Sequence, residues 1–199
     1  MHQRVIEHFK KVDPVLYSVL DKIDSLKPLT KSNNYFSDLC ETIINQQLSE
    51  KVGTVIFNRF KKLFPKGKIT AEKLLKLKDE EIRKIGTSGN KAKFIKELAK
   101  KIHAKEVNLE RLEQLENEEV VAELTKLKGI GQWTAEMFLM FSLGREDVFS
   151  YGDLGLRRAM QKLYKLPKEP KKAEAEEISI KWFPYRTYAA RILWRSLEV

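Results

Sequence analysis

The chain has 199 residues and carries 38 Lys and Arg against 28 Asp and Glu, a formal charge of +10. That length suits one compact unit or two lobes sharing a core; that charge favours polyanions through counterion release, or reflects solvated lysine-rich faces, and does not bear on fold. The lone Cys40 excludes an internal disulfide and any cysteine-ligated zinc or iron–sulfur centre, and no apolar run nears the roughly 20 residues of a membrane span.

Met1-His2-Gln3-Arg4 opens an amphipathic stretch, not a signal peptide, so a soluble, reducing, cytoplasmic setting is expected, or a nuclear one in a eukaryote. Val15, Leu16, Val19, Leu20 and Ile23 read as helix packing on the C-terminal lobe. Phe36, Leu39, Cys40, Ile43, Ile44 and Gln47 recur at i, i+3, i+4, i+7, i+8 and i+11, one face of a helix capped by Asn33 or Asn34. Cys40 lies in that stripe and reads as a core thiol. Val52, Val55, Ile56, Phe60 and Leu63 form a second face, ending before Pro65 and Gly67. Thr70 caps a short helix with Leu74 and Leu75, and Glu80 to Ile85 forms another, stopped by Gly86. Ala92, Ile95, Leu98 and Ile102 stripe a lysine-rich helix; Asn117 caps one bearing Val120, Val121, Leu124 and Leu127. A helix follows from about Gln132 to Leu143, Val148 to Tyr151 is irregular, and a further helix runs through Met160 to Tyr164. Pro167 to Pro170 reads as a linker and the charged tract Lys168 to Glu177 as solvated surface. Pro184 fits the first turn of a last helix that ends at Ser196. The three histidines, His2, His8 and His103, are too scattered to pair on a metal. No strand-like alternation lasts, so the pattern predicts an all-α protein.

Two places in this pattern carry chemistry. Gly129-Ile130-Gly131, inside Leu127-Lys128-Gly129-Ile130-Gly131-Gln132-Trp133-Thr134-Ala135, joins two amphipathic helices. Its glycines permit a turn whose backbone N–H groups point outward at a helix N-terminus, with Ile130 anchoring from inside. Such a turn grips a phosphate. The same glycines also suit an ordinary bend between helices, and the flanking pattern favours the grip. Twenty residues beyond Trp133, Gly152-Asp153-Leu154-Gly155 sets a lone carboxylate in a turn. Asp153 there suits the cap of the helix from Leu154. An acid held at a fixed distance from a phosphate grip also suits chemistry on a gripped nucleotide. The two roles are compatible. Together they suggest an enzyme that holds DNA while attacking one nucleotide.

Further motifs accompany the hairpin in a fixed order: Ile43-Ile44-Asn45-Gln46-Gln47-Leu48-Ser49; Ile85-Gly86-Thr87-Ser88 with Lys91-Ala92; Asp147-Val148-Phe149 leading into the Asp153 turn; and Trp182-Phe183-Pro184-Tyr185-Arg186-Thr187 with Trp194-Arg195. With them the chain, from Asn33 to its C-terminus, resembles the helix-hairpin-helix (HhH-GPD) DNA glycosylases, specifically the alkylation-repair branch of 3-methyladenine DNA glycosylase II. The resemblance implies a single two-lobed helical unit over residues 1–199 with the active-site cleft between the lobes. Lobe one would span about 33–128, and lobe two about 129–199 with the helices of residues 1–32. Larger members add an N-terminal β domain, for which this chain lacks room.

The resemblance also implies roles. The enzyme would be monofunctional, flipping alkylated purines of the 3-methyladenine or 7-methylguanine type from DNA and hydrolysing the N-glycosidic bond, which leaves an abasic site for base excision repair. Asp153 would be the catalytic carboxylate. Trp133 and Trp194 would line the base pocket, with Met137 where some relatives place an aromatic; core packing is the competing fate of such tryptophans. Gln47 and Leu48 would form the intercalating wedge, unless Leu48 enters the core. Gly129, Ile130, Gly131, Gln132, Thr134 and Lys128 would surround the main phosphate grip, with Thr87, Ser88 and Lys91 in a second DNA-contacting loop. Strand-cutting members carry a Schiff-base lysine two residues after the second glycine; here that position is Trp133, so no lyase step is expected. No cofactor, catalytic metal or iron–sulfur cluster is implied, only a monovalent or calcium ion at the Lys128–Gly131 carbonyls, bridging to a DNA phosphate. The partner would be double-stranded DNA, with no membrane, and the chain a monomer. Arg186 matches a family position without an assigned role. Two alternatives remain open here: a non-catalytic hairpin DNA-binding protein, which needs no acid near its hairpin, and a glycosylase for oxidised or deaminated bases.

Overall fold

Helical spacing of the apolar residues decides the architecture. The computed structural model describes residues 2–23 and 26–199, and every regular element among them is helical. In chain order the α-helices are α1 (Gln3–Val12), α2 (Pro14–Tyr17), α3 (Tyr35–Asn45), α4 (Glu50–Lys62), α5 (Ala71–Lys76), α6 (Asp79–Lys84), α7 (Gly89–His103), α8 (Asn117–Thr125), α9 (Gln132–Met137), α10 (Leu154–Leu163), α11 (Lys172–Ser179) and α12 (Arg186–Arg195). Met1, Asp24 and Ser25 lie outside the described residues. Among the described residues no helix is long and apolar enough to cross a membrane.

The chain forms two compact units, residues 32–138 and residues 1–31 with 139–199. In the first, α3 is the hub, packing on α4, α7 and α9. Its stripe of Phe36, Leu39, Cys40, Ile43 and Ile44 is wholly buried, each large apolar side chain contributing roughly 1.5–3 kcal/mol. Asn34 caps it, accepting from Ser37 N at 3.0 Å. The same burial pushes the Cys40 thiol well above its usual range, consistent with a core residue. The hairpin and α9 belong to this unit because α9 packs on α3 and α8. The expected boundary near residue 129 is therefore displaced past α9.

The second unit is built on α10 and α12, which pack together, with α2 laid against α12, and α1 against α2 and the turn Ile180–Trp182. Of the predicted N-terminal stripe, Leu16 and Val19 are buried, whereas Val15 is exposed. Asp13 anchors this arrangement from a site 1 % exposed. Its carboxylate accepts from Leu16 N, Tyr164 Oη and Trp182 Nε1 at 3.0, 2.5 and 2.7 Å and pairs with Lys181 at 3.1 Å. Burial opposes the charge, but these donors outweigh it and hold the Asp13 carboxyl below the usual carboxylate range.

Three local expectations are corrected. The helix from Gln132 does not continue regularly to Leu143; it passes into a π-helical turn at Phe138–Ser142, in which Phe141 is exposed and the residues on either side of it are buried. The tract 168–177 is not all solvated surface: α11 forms within it and buries Ala175. Pro184 precedes the last helix, which starts at Arg186, and its bond to Phe183 is cis.

Candidate active site and phosphate-gripping hairpin

Within residues 32–138, the turn between α8 and α9 has the shape its glycines predict, but the two glycines do different work. Gly129 has φ +87°, and a Cβ there would overlap the Phe94 ring, so both backbone and packing demand glycine. Gly131 has φ −101°, open to any residue, and a Cβ there would meet nothing within 4 Å. Its lack of a side chain leaves an open approach to the N-terminus of α9, where backbone donors and the helix dipole favour an anion. Ile130 is buried, as expected of the anchor, while Lys128, Gly131 and Gln132 are exposed.

Not every residue expected at the DNA surface faces outward. Thr134 is 2 % exposed, and its hydroxyl accepts from Gln46 Nε2 at 3.0 Å. Thr87 is likewise buried, with its hydroxyl turned inward. Lys91 donates to Ile44 O at 2.8 Å and Gln46 O at 2.6 Å; burial pushes its ammonium below the usual lysine range. These three side chains support the loops instead of presenting them. Ser88 is exposed, and its hydroxyl caps α7 through Lys91 N.

Gln47 and Leu48 occupy the turn from α3 into α4 and are both exposed, Leu48 at 37 %, so Leu48 is not a core residue. Gln47 holds φ +57°, a left-handed conformation uncommon for a side-chain-bearing residue. This turn, the hairpin, Ser88, Phe94 and Trp133 line one concavity of about 610 Å³. Trp133 is half-buried there, and Met137, a turn further on, is buried.

Within the other unit, Asp153 and Trp194 meet. The Asp153 Oδ1 accepts from Leu156 N at 2.8 Å, capping α10, and from Trp194 Nε1 at 3.0 Å. Both proposed fates of Asp153 are thus compatible in one geometry: the cap fixes the half-buried carboxylate, and the indole steers the oxygen it touches. Trp194 is half-buried rather than core-packed, and its ring lies 6.0 Å from that of Phe141. Gly155 leaves room for this contact: a Cβ there would sit 3.1 Å from Asp153 Oδ1 and 3.3 Å from the indole, close enough to press on both.

The irregular segment before Asp153 is pinned by residues whose roles sequence spacing did not reveal. Arg186 forms a two-pronged ion pair with Asp147, both contacts at 2.7 Å, and it also reaches Tyr151. The pair holds its guanidinium firmly protonated. Thr187 Oγ1 accepts from Val148 N at 3.0 Å and lies 2.7 Å from Arg145 O. Arg186 and Thr187 therefore fix the strand-like path from Asp147 to Tyr151 that delivers the carboxylate. No cluster of three or more His, Cys, Asp or Glu that could hold a metal occurs among the described residues.

Residues 40–185 match the profile of the HhH-GPD superfamily base excision DNA repair proteins. The chain is 38 % identical to DNA-3-methyladenine glycosylase 1 of Schizosaccharomyces pombe over 82 % of its own length and 73 % of the relative's. Its fold is similar to the S. pombe 3-methyladenine DNA glycosylase solved with abasic DNA, with a TM-score of 0.89 and 32 % identity over 99 % of this chain and 98 % of that one. It is also similar to the DNA-3-methyladenine glycosidase structure from Bacillus halodurans, with a TM-score of 0.79 and 34 % identity, covering 98 % and 89 % of the two chains.

Proposed function

The chain belongs to the HhH-GPD superfamily of base excision DNA repair proteins, and from that premise we propose that it is a DNA glycosylase that excises alkylated purines by hydrolysis and leaves an abasic site. The observation that carries this reading is the Asp153 carboxylate, capped onto α10 and held by the Trp194 indole. A binding module needs no carboxylate there beyond the cap of α10. As an N-glycosidic bond breaks, the sugar gains positive charge, and a fixed carboxylate stabilises that charge without reorganising. A purine alkylated at N3 or N7 is already cationic and departs neutral, so one carboxylate suffices and no general acid is needed.

The substrate is double-stranded DNA, met by a monomer. The damaged nucleotide must leave the stack before its sugar can reach Asp153. The exposed Leu48 and Gln47 fill the vacated space, and the open face at Gly131 takes a phosphate. Trp133, with Met137 a turn further on, and Trp194 beside Asp153 each offer, within their own unit, an indole on which a cationic purine stacks, a contact worth about 0.5–2 kcal/mol. The +10 charge draws the chain to DNA, wherever the chromosome lies. Trp133 supplies no amine, so the sugar is attacked by water and not by a side chain. A monovalent or calcium ion would suit the hairpin as a hard cation held by carbonyl oxygens. There Gly129 O already accepts from Gln46 and Gly131 O from Ala135 N, so the ion would draw on second lone pairs and on the carbonyls of Lys128 and Ile130.

The test is a panel of duplexes bearing 3-methyladenine, 7-methylguanine, ethenoadenine, hypoxanthine and 8-oxoguanine, with released bases quantified by chromatography. Release of the methylated purines is expected. DNA binding with no base released would make the chain a non-catalytic module, and release confined to 8-oxoguanine or hypoxanthine would move it to the oxidised or deaminated class.

A further inference from the structure

Gln46 ends α3, and its side chain reaches across to the hairpin. Its Nε2 donates to Gly129 O at 2.9 Å and to Thr134 Oγ1 at 3.0 Å. Its own carbonyl accepts from Lys91 Nζ at 2.6 Å, and the same ammonium takes Ile44 O at 2.8 Å. A helix C-terminus leaves carbonyls without intrahelical partners, and a cation there is favourable both as donor and against the dipole. The next residue, Gln47, is held left-handed at φ +57°, and Leu48 beyond it stands exposed. Such a conformation persists only where its surroundings over-determine it. Here Lys91 and Gln46 hold the chain on the near side of Gln47, and Leu48 N closes the turn on Asn45 O at 3.1 Å.

We infer that Gln46 and Lys91 are positioning residues that lock the Gln47-Leu48 turn to the phosphate-gripping hairpin, holding wedge and grip at one spacing along the DNA. The inference rests on the reading of the chain as a base-flipping glycosylase. The physical argument is mechanical. A wedge extrudes a base only if it pushes against a strand that cannot slide, so the piece that pushes and the piece that grips must be one rigid body. The Gln46 amide is the tie, because it bonds the very carbonyl of the left-handed glycine that shapes the hairpin. Lys91 sets the tie's starting point by gathering the last carbonyls of α3. Neither residue is placed to act on the sugar, so their loss should affect extrusion and spare bond cleavage.

That separation gives the test. Gln46→Met keeps the side chain's length and removes its donor, and Lys91→Met removes the ammonium of the second contact while leaving an unbranched side chain one atom shorter. Single-turnover excision of a methylated purine is measured on a paired duplex and on one where the lesion faces a one-nucleotide gap, where unpairing costs little. On the paired duplex each variant should lose about 10-fold or more, since small misplacements of working groups cost rates of that order. On the gapped duplex it should return to within about 3-fold of wild type on the same substrate. Affinity for undamaged duplex and the melting temperature are read in parallel. Equal losses on both substrates, or no loss on either, would overturn the inference. A wild-type protein that releases no base would instead defeat the glycosylase reading beneath it, a result seen before any variant is made.

Discussion

Asp153→Asn should cut single-turnover excision by at least about 100-fold, the scale at which one preorganised electrostatic contact is removed from a transition state. Asparagine keeps an oxygen for Leu156 N and Trp194 Nε1, the two donors that Asp153 Oδ1 now accepts, and it is as good a helix cap as aspartate. Melting temperature and affinity for abasic-analogue duplex should therefore stay near wild type. The negative charge is lost, and the second oxygen becomes an amide donor. Asp153→Ala provides the contrast: it also removes the cap, at about 1 kcal/mol of stability. If Asp153→Asn turned over at the wild-type rate, the carboxylate would be a cap and nothing more.

The second large effect concerns Gly131. Since φ at this position is ordinary and a Cβ there meets nothing within 4 Å, Gly131→Val should fold, losing only the modest advantage of glycine over valine as the N-cap of α9. It should nonetheless weaken binding to every duplex by roughly 10- to 100-fold, because a branched side chain displaces the phosphate from charge-assisted amide contacts worth about 1.5–3 kcal/mol. Titrations against damaged and undamaged duplexes, with a melting curve on each protein, check this. Gly129→Ala should differ in kind: with φ +87° and the Phe94 ring in the way, it should lower the melting temperature as well. Unchanged affinity in Gly131→Val would mean that the turn only bends the chain.

The helices were legible because a buried stripe leaves a period that needs no knowledge of its partner. Phe36 to Gln47 reads as one face; Phe36 to Ile44 are buried as one, whereas Gln47 lies exposed beyond the end of α3. Asp153 as a cap and Gly129-Ile130-Gly131 as a turn were legible for the same reason: each is defined by residues a few positions away. What stayed hidden depends on long-range partners. A polar loop residue looks alike in sequence whether it faces DNA or its own fold, so Thr87, Thr134 and Lys91 all read as DNA contacts, while Thr87 and Thr134 are buried and the half-buried Lys91 spends its ammonium on main-chain carbonyls. Gln46 and the Arg186–Asp147 pair are separated from their partners by 83 and 39 residues. No local spacing signals either. Gly155 was the available clue at the carboxylate: a helix position kept free of a side chain beside an acid implies that something large comes close, and that something is Trp194.

The central claim is that the Asp153 carboxylate stabilises positive charge on the deoxyribose. It is tested most directly by comparing wild type and Asp153→Asn for affinity to duplexes with a cationic pyrrolidine or a neutral tetrahydrofuran in place of the target sugar. A site complementary to the transition state binds its charged mimic more tightly than a neutral one of the same shape. Wild type should prefer the pyrrolidine duplex by about 100-fold or more, and the substitution should erase most of that preference while leaving the tetrahydrofuran affinity in place. Equal affinity of wild type for the two duplexes, or a preference that survives the loss of the charge, would contradict the account.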